Sequence, residues 1–76
     1  MKTDLKLFDV VALQRAVPEK GLEPGQVGTV VEELSNGAVE VEFSDDEGRA
    51  YAFAALGPGD LLKLLYVPVR PGSAMA

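Results

Sequence analysis

An all-β fold of about five short antiparallel strands is the architecture this 76-residue chain predicts. Three observations carry that prediction. The apolar run Val10-Val11-Ala12-Leu13 is followed by a loop carrying Pro18, Gly21, Pro24 and Gly25, and then by a second β-rich run, Val27-Gly28-Thr29-Val30-Val31. Asn36-Gly37 stands between two such runs, and this dipeptide marks a hairpin because both residues tolerate positive φ. The returning run Ala38 to Phe43 alternates apolar with acidic side chains, the period of a half-buried strand.

The elements follow in order. The first strand is expected over Asp9–Leu13. The loop from Gln14 to Gln26 holds two prolines, which forbid a helix through it. Strands are expected over Val27–Leu34 and Ala38–Phe43, the latter with Val39, Val41 and Phe43 on one face and Glu40 and Glu42 on the other. Ser44 to Arg49 is a turn in which aspartates bond local backbone and Gly48 supplies a left-handed residue. Ala50–Ala55 reads as the fourth strand, with Tyr51 and Phe53 sharing a face. Gly57 to Asp60 breaks the chain as a tight turn or one 3₁₀ turn. Leu61–Val67 closes the set, with Lys63 marking the outer face and Leu62, Leu64 and Tyr66 the inner. A short helix over Asp60–Tyr66, N-capped by Asp60, is the alternative there.

Such a strand, punctuated loop and glycine-bearing strand is how small SH3-like barrels begin. The expected fold is therefore a small SH3-like barrel over residues 1–67 with a long first loop, followed by a flexible, disordered tail over 68–76. Its core is expected from Val11, Leu13, Val27, Val30, Val39, Val41, Phe43, Phe53, Leu62 and Leu64. Met1 to Leu7 reads as a polar lead-in.

Composition narrows the chemistry. A chain this short buries roughly 60–65% of its unfolded surface, so association or close packing must support its stability. Cysteine and histidine are both absent, which removes disulfides, thiolate sites, imidazole bases and the usual zinc ligands. No catalytic, cofactor-binding or metal site is expected, and the chain reads as a non-enzyme. The carboxylates to watch are Glu32, Glu40 and Glu42. Asp45-Asp46-Glu47 lacks the alternate spacing of a calcium loop and reads as a solvated hairpin tip. A net charge of −5 repels phosphate backbones and disfavours nucleic acid and anionic membranes. No run approaches the ~20 apolar residues of a membrane span, and no signal peptide is apparent, so a cytoplasmic location is the expectation.

The remaining candidates are interaction residues. Arg15 and Lys20 lie on the first loop, where binding residues concentrate. Leu61, Leu65 and Val67 would project outward from the last strand, an apolar strip that a second subunit or the tail from Pro68 would cover. A protein partner and a homodimer are the expected associations. Outward carboxylates Glu32, Glu33, Glu40 and Glu42 would face one another across a hairpin, which destabilises a sheet.

Two resemblances bear on this reading. The pattern Pro18-Glu19-Lys20-Gly21-Leu22, Gly25-Gln26-Val27-Gly28-Thr29-Val30-Val31-Glu32, Val39-Glu40-Val41-Glu42-Phe43 and Gly48-Arg49 with Tyr51-Ala52 resembles the bacterial family called domain of unknown function 4926, over about Leu7 to Leu65. That resemblance implies a small barrel of unassigned role and transfers no site. The Gly21, Gly25, Gly28 and Val30 region also resembles the KOW motif, which implies RNA binding through Arg15, Lys20 and Arg49. Here the matching loop carries Glu19 and Glu23, and the next strand Glu32 and Glu33, a departure from the basic KOW loop.

Overall fold

The computed structural model describes residues 5–65. Five strands form one antiparallel sheet: β1 (Val10–Leu13), β2 (Val27–Glu33), β3 (Val39–Ser44), β4 (Ala50–Leu56) and β5 (Leu61–Lys63). Their order is β4-β3-β2-β1-β5, so the last strand returns to lie beside the first. Three 3₁₀ turns, Pro18–Lys20, Ser35–Gly37 and Pro58–Asp60, are the helical segments among the described residues. The alternative helix over Asp60–Tyr66 does not form over Leu61–Lys63. The tail, Tyr66 and Val67 lie outside the described residues.

The turns form for the reasons their residues suggest. Asn36 (φ 63°) and Gly37 (φ 80°) both take positive φ between β2 and β3. At the β3–β4 tip, Asp45 Oδ1 accepts hydrogen bonds from the backbone N–H groups of Glu47 and Arg49, each at 2.9 Å. Gly48 supplies the left-handed residue there at φ 82°.

No second layer of secondary structure covers the apolar face of the sheet among the described residues. The sheet covers itself instead. A flat five-stranded sheet would hold β4 and β5 about 19 Å apart, four strand spacings. Only Gly57 to Asp60 joins them, mostly as a 3₁₀ turn that rises about 2 Å per residue. The two edges must therefore curve toward each other at this end. A single cluster accordingly gathers residues from every strand: Val11, Leu13, Val30, Val39, Val41, Phe43, Ala54, Leu56 and Leu61, with Leu5, Val17 and Leu22. No β4–β5 ladder closes the sheet among the described residues.

The core differs from the expected one at definite places. Val27 is 48% exposed, because strand alternation that puts Val30 inside puts Gly28 inside and Val27 out. On β4 Phe53 faces outward, and Tyr51 does not share its face as expected: Tyr51 is the extra residue of a bulge, its ring 6.5 Å from that of Phe43 and its hydroxyl accepting from Gln26 Nε2 at 2.8 Å. Phe53 is 46% exposed while Ala54 and Leu56 are buried. Phe43, fully buried, pairs with Ala52, and so large a ring leaves room for only small side chains on the neighbouring strand. On β5, Leu61 pairs with Leu13 and is buried, whereas Leu62 is 51% exposed. Lys63 therefore shares the face of Leu61. At a sheet edge its stem can lie along the apolar side while the ammonium reaches water, and here it lies 3.4 Å from Asp9 Oδ2. Leu64 is partly buried just past the strand, its N–H donating to the Val10 carbonyl at 2.9 Å.

The segment before β1 is more than a lead-in. Leu5 joins the core, and the Lys6 N–H donates to Asp9 Oδ2 to close a turn. The first loop is likewise anchored, by the isolated pair Val17 and Leu22, both buried.

Candidate functional site

The inward face of the sheet is consumed by packing, so any recognition surface must come from the outer face and the loops. Cross-strand partners share a face, and the register builds the outer surface row by row. One row runs Leu62–Ala12–Val27 across β5, β1 and β2. It is apolar throughout, and its two ends are about half exposed. Another runs Val10–Thr29–Glu42–Phe53 across β1 to β4. A third places Glu32 directly opposite Glu40, with Ala55 beyond it on β4. Between the last two, a register shift makes Val31 the extra residue of a bulge.

The outer surface thus divides into an apolar half on β5–β1–β2 and an acidic strip on β2–β3. Opposed carboxylates such as Glu32 and Glu40 repel, and no Lys or Arg among the described residues forms an ion pair with Glu32, Glu40 or Glu42. Glu33 is placed differently. Its Oε2 accepts a hydrogen bond from the Leu7 N–H at 3.1 Å.

The expected interaction residues do not converge. Arg15 is exposed but engaged: its Nε donates to Asp60 Oδ1 at 2.7 Å, and an Nη donates to the Ala16 carbonyl. Lys20 ends the Pro18–Lys20 turn, exposed to solvent. Leu61 is buried at 4% exposure and is withdrawn from any interface, because it packs opposite Leu13. Leu65 is 77% exposed, as an outward position requires. Val67 lies outside the described residues. Arg49, at the other loop, is tied to Asp45 and Glu47 on its own hairpin tip. Ser44, Asp45, Asp46, Glu47, Arg49 and Tyr51 line a shallow, open hollow at that tip. No group of three or more His, Cys, Asp or Glu side chains with metal-holding geometry occurs among the described residues.

Phe8 was not legible from the sequence. It is 72% exposed and holds φ 72°, a left-handed conformation that a bulky L-residue adopts only under strain. The backbone imposes it. The Phe8 N–H donates to the Val30 carbonyl, and the Asp9 N–H donates to the Lys6 carbonyl. Propensity alone contains no signal for this, since the constraint comes from β2.

Among the described residues, Asp60 is the one carboxylate moved clearly from its ordinary range. The Arg15 hydrogen bond holds its carboxyl below the usual value, against partial burial, and the Gly57 N–H at 3.1 Å adds to the effect. A depressed carboxyl contributes stability that is present above its unfolded pKa and lost as pH falls through the folded value. Unfolding free energy should therefore fall below about pH 4, and Asp60→Asn should flatten that slope. Urea titrations at pH 2.5–5.5 test this. An unchanged slope in the variant would remove Asp60 from the acid response. The effect is expected to be small, since the Arg15 side chain stands in solvent.

A family model described as "Domain of unknown function (DUF4926)" matches residues 7–63. The chain belongs to this family. No curated protein and no solved structure gives a significant match. The DUF4926 match spans all five strands, so the sheet and its register are the family domain, and no assigned activity comes with it.

Proposed function

We propose that this DUF4926 chain is a non-catalytic protein-interaction module, a small partner protein acting in the cytoplasm. The observation that carries the proposal is the in-register apolar row Leu62–Ala12–Val27 on the outer face, with Leu62 at 51% and Val27 at 48% exposure. Solvent-facing sheet surfaces normally alternate to polar residues, and contiguous exposed apolar rows mark contact surfaces. Leu65 and the strained Phe8 add exposed apolar area. The non-catalytic part rests on the sequence, which offers neither His nor Cys.

The RNA-binding alternative draws on Arg15, Lys20 and Arg49. Two of these three are engaged with carboxylates, which weakens their claim on phosphate. Titration of mixed-sequence RNA over a salt series separates the readings. Flat, negligible binding is expected, and micromolar binding that weakens steeply with salt would favour RNA.

The interaction reading is tested by capture from lysate with the parent and with a Val27→Glu, Leu62→Glu double variant. Both positions are exposed, so the variant's melting temperature should stay within a few degrees of the parent's. A specific protein retained by the parent and lost by the variant is the expected result. Retention of the same protein by the variant would remove this face from consideration.

A further inference from the structure

We propose that the partner of the outer face is a basic amphipathic helix of another protein, its apolar stripe seated on the Leu62–Ala12–Val27 row and its lysines or arginines on Glu42, Glu40 and Glu32. The inference rests on the interaction reading above and names the chemistry of the partner. Charge carries it. Every charged residue in the three registered rows of the outer face is a glutamate. The cations among the described residues are held elsewhere. Arg15 pairs with Asp60, Arg49 with Asp45 and Glu47, and Lys63 with Asp9, while Lys6 and Lys20 stand on turns.

The two halves of the face are close enough for one helix to use both. Glu42 pairs with Thr29, which makes it the diagonal neighbour of Val27, about 7–8 Å away. Side chains three or four positions apart on a helix stand about 5–6 Å apart, so a leucine over Val27 brings a neighbouring lysine within reach of Glu42. A helix about 10 Å across also covers two strand spacings, the width of the apolar row. The like-charged pair argues in the same direction. Glu32 directly opposite Glu40 costs the free protein stability, where a lysine at either position would contribute it. Local conflicts of this kind collect at functional surfaces. A cationic partner converts the repulsion into attraction, and the net charge of −5 speeds its approach. The same field repels nucleic acid and anionic lipid.

The probe is a fluorescein-labelled synthetic helix with a leucine stripe bordered by lysines, beside an analogue in which every lysine is glutamine. In anisotropy titrations at low salt, the parent should bind the lysine peptide at least about tenfold more tightly than the glutamine peptide, and salt should erase the difference. A Glu32→Gln, Glu40→Gln, Glu42→Gln variant should lose most of that preference. It relieves a repulsion, so its melting temperature should be no lower than the parent's. A control of equal net charge, Glu19→Gln, Glu23→Gln, Asp46→Asn, should stay within about twofold of the parent. Equal losses in the two variants would show that only overall charge matters and would overturn the proposal. A glutamine peptide that binds as tightly as the lysine peptide also overturns it. The interaction reading survives that result if Val27→Ser, Leu62→Ser abolishes binding of both peptides. Lysine-peptide binding left unchanged by Val27→Ser, Leu62→Ser removes the apolar row itself, and the interaction reading falls with the proposal.

Discussion

Val41→Asp is expected to leave the chain unfolded at 25 °C. Val41 is fully buried, paired with Val30 on one side and Ala54 on the other in the middle of the sheet. No Lys or Arg side chain belongs to the core cluster, so the new carboxylate would have no ionic partner there. A buried, unpaired charge belongs to the class of substitutions that removes more than about 4 kcal/mol. A single core of this size supplies only about 3–5 kcal/mol. Protonation would not save the fold, because the neutral acid still loses valine packing and still needs a hydrogen-bond partner. Far-ultraviolet circular dichroism with a thermal scan is sufficient. A cooperative melt close to the parent's would mean that residue 41 faces solvent and that the register of β3 is wrong.

Gly28→Ala should lower the melting temperature by roughly 8–24 °C, from a loss of about 2–3 kcal/mol at 4–8 °C per kcal/mol. The reason is space, not backbone freedom. A Cβ built on Gly28 would stand 2.5 Å from Val41 Cγ1, 2.8 Å from the Glu42 carbonyl oxygen and 3.1 Å from Phe43 Cδ2. Side chains can shift, but the Glu42 carbonyl belongs to the strand paired with β2, and moving it disturbs the ladder on which the sheet depends. Gly21 provides the contrast. A Cβ there meets nothing within 4 Å, and substitution strains only its φ of 68°, so Gly21→Ala should lose nearer 1 kcal/mol. Equal melting temperatures for the two alanine variants would show that β2 and β3 stand further apart than described.

These two residues also show what could be read from the chain. The strand content, the turn residues and the alternation of β3 were legible because local chemistry decides them. Asn36 and Gly37 need positive φ, and the Val-Glu alternation admits one inward face. A glycine at 28 could be anticipated from the curvature of a small sheet, although the atoms it makes room for could not. The inward faces of β4 and β5 were not legible. In Ala-Tyr-Ala-Phe-Ala-Ala-Leu both faces are apolar, and only the space already filled by Phe43 decides that the alanines go inside. In Leu-Leu-Lys the lysine gives a false cue, because a cation at a sheet edge is not bound to the outer face. Arg15 was legible as an exposed loop cation, but its partner Asp60 lies far along the chain and becomes a neighbour only through the return of β5.

That return has a kinetic consequence. β2, β3 and β4 are joined by tight turns and can assemble as successive hairpins, each closing a short loop. β1 and β5 are about fifty residues apart at Leu13 and Leu61, and no short segment brings them together. Their pairing must wait until the meander exists to carry β4 around to the starting edge, where Gly57 to Asp60 then holds β5 against β1. The rate at which this chain acquires its native form is therefore expected to be set by one late, entropically slow encounter between its two ends. Slack introduced at Gly57–Asp60 should delay that encounter while leaving the rate of meander formation unchanged.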